Sequence, residues 1–111
     1  MDRINRYLPL IEQVLTRYLE RQYANGDIHN EPVFSRESGH YMVLSSGWQG
    51  ARRIHTCLVH LKLHDGKIWI ERDGTEHGIA AELVAAGVPA DHIVLGFQQR
   101  NVRPYTEFAI A

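Results

Sequence analysis

The sequence predicts a two-layer α+β fold: an N-terminal amphipathic helix, a four-stranded antiparallel meander, a second helix and a short C-terminal strand. Three observations carry that prediction. Apolar residues recur at helical spacing from Ile4 to Leu19. Four strand-like runs follow, joined by short glycine-containing turns that leave room only for antiparallel neighbours. Between the third and fourth runs stands Asp65-Gly66, a pair that supplies the positive φ angles of a two-residue type I′ hairpin turn.

The first helix runs from about Arg3 to about Gln22, with Asp2 as its cap and Ile4, Tyr7, Leu8, Ile11, Val14, Leu15, Tyr18 and Leu19 on its apolar arc. Pro9 removes one hydrogen bond, but on the helical wheel it falls opposite that arc, so a single helix bent around the core is expected. Arg3, Arg6, Arg17 and Arg21 cluster on one flank, which is either a solvated charged face or a contact for an acidic partner or phosphate backbone. Asn25-Gly26 offers a left-handed stop. The strands are Ile28 to Phe34, which Pro32 pushes to an edge, then His40 to Trp48, Arg52 to His64, and Lys67 to Arg72. Asp73 or Thr75 caps the second helix, the run Asp73-Gly-Thr-Glu76 matches a capping box, and Ile79, Ala80, Leu83 and Val84 face inward until Gly87 and Pro89 end it. Ile93-Val94-Leu95 is a short strand, Gln98 to Pro104 a loop, and the apolar end Phe108–Ala111 is expected to dock on the body.

The hairpin register follows from its turn. His64 faces Lys67, Leu63 faces Ile68, Lys62 faces Trp69, Leu61 faces Ile70 and His60 faces Glu71. Alternation puts Cys57, Val59, Leu61, Leu63, Ile68 and Ile70 on the core face. Ile54, Leu58, His60, Lys62, His64, Lys67, Trp69 and Glu71 share the other, and His55 points away from His60 and His64.

Composition narrows the function classes. A chain of 111 residues is one domain, residues 1–111, large enough to bury roughly two-thirds of its unfolded surface. No apolar run approaches a membrane span, MDRINRYLPL lacks the apolar region of a signal peptide, and a cytoplasmic location is expected. Cys57 is the single cysteine, which excludes an internal disulfide and a multi-cysteine zinc site. A net charge of −1 argues against a large phosphate-tracking surface. All the basic side chains except Lys62 and Lys67 are arginine, which suits planar recognition at interfaces.

No motif discloses a reaction, and no cofactor or metal site is expected. His60 and His64 stand roughly 13 Å apart along their strand at about 3.3 Å per residue, too far to share one zinc ion. Glu71, Asp73 and Glu76 suggest a metal-dependent hydrolase, but capping and cross-strand pairing explain the same residues. Trp69, an indole beside Lys62 and Lys67 on the face opposite the core, is the informative surface signal. It reads as a protein interface, or as a side chain covered by the first helix or the C-terminal loop.

Several ordered motifs resemble one family along essentially the whole chain. They are Tyr23-Ala-Asn-Gly-Asp27, Gly47-Trp48-x-Gly50-x-x-Arg53, Asp65-Gly-Lys-Ile-Trp-Ile70, Arg72-Asp-Gly-Thr-Glu76, Gly78-Ile-Ala80, Gly87-Val-Pro89, Ile93-Val-Leu-Gly-Phe97 and Tyr105-Thr-Glu-Phe-Ala109. Together they look like the XisI family, the cyanobacterial fdxN element excision controlling factors, from whose pattern Pro9 and Pro104 depart. The resemblance implies a non-enzymatic accessory role in excising a DNA element during the development of nitrogen-fixing cells, beside a recombinase and a XisH-like partner. It carries over no catalytic residue. The reading is therefore a protein that binds the XisH-like partner through Trp69, Lys62 and Lys67, its effect on DNA being indirect. The alternatives are direct DNA binding by the arginine flank of the first helix and, third, the hydrolase. A homo-oligomer is compatible with each.

Overall fold

The computed structural model describes residues 3–19 and 27–111. Its elements are α1 (Arg3–Leu19), β1 (Asp27–Ser35), β2 (His40–Gln49), β3 (Arg52–His64), β4 (Lys67–Asp73), α2 (Ile79–Ala86) and β5 (Ile93–Leu95), with 3-10 turns at Ala90–His92 and Arg103–Tyr105. The cap at Asp2, the helix end at Gln22 and the Asn25-Gly26 stop lie outside the described residues. The predicted strands are all present, slightly longer at their ends. Asp65 and Gly66 both have positive φ, as a type I′ turn requires.

The five strands form one sheet in chain order, antiparallel through β4, after which β5 lies parallel to β4. A parallel neighbour needs a crossover, and the segment carrying α2 supplies it. The inner face of the sheet (Tyr41, Val43, Val59, Leu61, Ile68, Ile70) packs on Ile11, Val14 and Leu15 of α1 and Ile79 and Leu83 of α2, all fully buried. Pro9 is exposed on the far side of α1, so the helix continues through it where the freed carbonyl can meet water. Val84 is exposed rather than inward, because α2 is short and Val88, just past its end, fills the place beside Leu83. Gly78, not Asp73 or Thr75, is the N-cap of α2 and no capping box forms; Asp73 instead reaches in from the end of β4, Oδ2 accepting from the Ile79 amide at 2.8 Å and Oδ1 from the Thr75 amide, while Glu76 is exposed.

Two β-bulges revise the predicted faces. Between β2 and β3 the register shifts so that Val43 faces Val59 and Leu44 faces Cys57, leaving Leu58 as the extra residue. One extra residue inverts everything before it. Cys57 and His55 therefore lie on the outer face with His60 and His64, contrary to the expectation, while Ile54 turns to the inner side opposite Gly47 and Leu58 packs against the core. Between β3 and β4 the second shift pairs His60 with Arg72 rather than Glu71, which becomes the unpaired bulge residue.

The rims of the sheet also follow from register. A two-residue turn closes between Gln49 and Arg52, so these two form a hydrogen-bonded pair, and alternation across β2 and β1 then places the nitrogen of Pro32 on the open side of β1. Proline costs no ladder bond there.

Candidate partner-binding site

Both helices pack on the inner face, and the outer face displays rows of cross-strand neighbours. Ser35, His40, Lys62, Trp69 and Val94 form one row across all five strands. Val33, Met42 and His60 form the next, and Glu31, Leu44 and Cys57 the one after. At the β3–β4 end, Lys62, His64, Trp69 and Glu71 line a cleft of about 270 Å³. Lys67 stands opposite His64 on the same face.

Trp69 is half-buried, and the two readings of it meet in the structure. The cover comes from the C-terminal segment, not from α1. The Arg103 guanidinium lies 5.2 Å from the Trp69 ring centre, and the His64 ring meets its edge at 6.1 Å and 72°. A cation over an aromatic face contributes about 0.5–2 kcal/mol depending on its desolvation. Arg103 is itself anchored, Nε donating to the Gln98 carbonyl at 3.1 Å and Nη1 to the Ile110 carbonyl at 3.0 Å. The chain end docks as expected, the Ala109 amide donating to the Ile93 carbonyl at 2.8 Å and Ala109 bridging Val94. This strap buries Val94 completely on the outer side, while Trp69 keeps an open flank toward the cleft and its Nε1 is buried with no acceptor among the described residues.

Next to the cleft, His40 Nδ1 and His60 Nε2 are 2.8 Å apart. Burial pushes the His60 imidazole below its ordinary pKa; the neighbouring His40 and Lys62 push the same way and Glu71 opposes them. Burial also raises the Cys57 thiol, with Arg72 pulling in the other direction, so Cys57 stays protonated and hydrogen-bonds the Val59 carbonyl. Lys62 and Arg103 thus flank an indole with Glu71 as the nearby carboxylate and Lys67 further along the same face.

The other predicted groups do not assemble. Glu71 occupies the bulge, Asp73 is spent on the Ile79 amide and Glu76 is exposed; among the described residues no three His, Cys, Asp or Glu side chains come together as a metal site requires. Of the arginine flank, Arg3 opens α1, Arg6 is exposed, Arg17 lies 3.9 Å from Glu82 on α2, and Arg21 is outside the described residues. Sequence reasoning missed His40 and Arg103. Finding His40 required the β2–β3 register with its bulge, and Arg103 lies in a loop where no periodicity points to Trp69.

Comparison with known proteins agrees with this architecture. A family model described as XisI protein matches residues 1–110. The crystal structure of a XisI-like protein from Anabaena variabilis ATCC 29413 superposes with a TM-score of 0.88 at 36% identity, covering 97% of this chain and 99% of that one. The fdxN element excision controlling factor XisI from the same organism superposes with a TM-score of 0.81 at 32% identity, covering 99% and 100%. No match was found among curated proteins. With one family model spanning nearly all residues and solved relatives sharing the whole fold, the chain belongs to the XisI family.

Proposed function

We propose that this protein is a non-enzymatic accessory factor that controls excision of a DNA element and does so by binding a XisH-like partner through the cleft around Trp69. The excision role rests on the name of its structural relative, an fdxN element excision controlling factor. The partner role rests on one observation: Trp69 sits half-open on the helix-free face, with Lys62, Lys67 and Arg103 around it. Desolvated indoles ringed by polar side chains are where binding energy concentrates.

Co-expression with a XisH-like protein, followed by size-exclusion chromatography with light scattering, tests the reading. A fixed-ratio complex is expected, and Trp69→Ala weakens it by about 2 kcal/mol, roughly thirtyfold in Kd. A folded Trp69→Ala protein that binds as tightly as wild type removes the assignment of this cleft. Separate elution, with the chain forming its own stable oligomer, removes the partner and leaves self-association. Direct DNA binding along α1 is the weaker alternative, because the Glu82 carboxylate lies 3.9 Å from Arg17 and offsets part of the flank's charge.

A further inference from the structure

The middle of the outer face breaks the rule that its two ends obey. A sheet with helices on one side ordinarily turns polar residues to the other. Toward the ends of β1, β2 and β3 it does so: His29, Ser46 and His55 make one row, and Ser35, His40 and Lys62 another. Between those rows stand Val33, Met42, Leu44 and Cys57, four apolar side chains contiguous across three strands, Val33 39% exposed and the others half-buried. Both helices pack on the inner face, and the C-terminal strap lies further along, over β4 and β5. The charges beside the patch differ by side. Glu31 borders it on β1, whereas on β4 Arg72 stands next to His60 and donates from Nε to the Cys57 carbonyl at 3.1 Å. Both are exposed, and among the described residues neither has an ion-pair partner.

We infer that this patch is an interface between two copies of this chain, stacked face to face about a two-fold axis that runs along β2. Rotation about an axis parallel to the strands carries the β1 side of one copy onto the β3 side of the other and leaves β2 opposite itself. Met42 and Leu44 then meet their own counterparts, and Val33 lies over the second copy's His60. Glu31 lies over Cys57 of the second copy, the residue on whose carbonyl the Arg72 guanidinium is held, so carboxylate meets guanidinium. The same pair forms twice, as an isologous contact requires. An axis running across the strands would instead set β1 on β1 and bring like charges together, which is why charge selects the first arrangement. A patch three strands wide is at the small end of stable interfaces, so the dimer dissociates on dilution. Trp69, on β4, falls beyond the second copy's β1 rim, and its cleft stays open in the dimer.

The test is sedimentation equilibrium of the full chain alone, from about 1 µM to about 1 mM. Monomer and dimer are expected, with the dimer dominant at the upper end. Leu44→Glu sets two carboxylates against each other across the axis and leaves a monomer throughout. Glu31→Arg and Arg72→Glu each weaken the dimer at least about tenfold, because each puts like charges face to face, and the double reversal Glu31→Arg/Arg72→Glu returns it to within about threefold of wild type. Within one chain the strands that carry these two residues are three spacings apart, about 14 Å, so rescue reports a contact between copies. Thermal melting followed by circular dichroism checks that each variant is folded, and the charge reversals decide the question if Leu44→Glu unfolds. A wild-type chain that stays monomeric to about 1 mM, association that a folded Leu44→Glu protein retains, single reversals without effect, failed rescue by the double reversal, or assembly beyond the dimer would each overturn the inference. The chain is alone in this experiment, so its failure is separate from failure of the XisH-like partner reading.

Discussion

The most consequential single contact of the outer face is between His40 and His60. Two imidazoles 2.8 Å apart hold a hydrogen bond while at least one of them is neutral, and His60 is kept neutral by burial with His40 and Lys62 beside it. Its folded-state pKa lies below the unfolded one, so the unfolded chain takes up the proton first. The contribution is complete above about pH 6.5 and is lost as the pH falls from there through the lowered folded value. Urea midpoints measured between pH 7.5 and 5 are therefore expected to drop below about pH 6.5, and His60→Phe is expected to flatten that drop. An identical pH profile in the variant would place the sensitivity elsewhere. None of this was legible from residue spacing, because His40 and His60 are brought together by strand register, and that register depends on an extra residue at Leu58.

At the scale of elements, local chemistry made most of the fold readable. The period of α1, the Asp65-Gly66 turn and the glycine-bearing junctions each specify one structure and agree with one another. What could not be read were the bulges, since a bulge is a relation between two strands and leaves no mark in either alone. Every mistaken strand-face assignment traces to the one at Leu58, and the mistaken His60–Glu71 pair to the one between β3 and β4. Close packing at Gly47 was equally hidden. Its φ is +148°, and a Cβ there would stand 1.8 Å from the Asp27 carbonyl oxygen on β1. Gly47→Ala must therefore push β1 from β2, with an expected loss of at least about 2 kcal/mol. Thermal unfolding checks this: for a domain of this size each kcal/mol lowers Tm by about 4–8 °C.

Across the whole molecule, the sheet differs by face and by end: helices and core inside, the Trp69 cleft outside at the β3–β4 turn, and the exposed Trp48 with Arg53 beside it at the β2–β3 turn. The C-terminal strap joins the first two, since Arg103 is tied to Gln98 and Ile110 while lying over Trp69. Docking of the chain end was legible from its apolar character; that its arginine would cover Trp69 was not, because the contact joins segments distant in sequence. In a Trp48→Phe background, where Trp69 is the remaining indole, Arg103→Ala is expected to raise acrylamide quenching and shift the emission to the red. Unchanged quenching would mean that the strap holds its place without the guanidinium.

The open side of β1 bears on how the protein behaves in a crowd. A bare strand rim is a template on which further strands zip together, the route by which sheet proteins grow into fibrils. Here the middle of that rim lacks a donor, because Pro32 turns its nitrogen outward, and the charged Glu31 stands beside it. A strand added at β1 therefore meets a break in the donor row at Pro32 and a charge beside it.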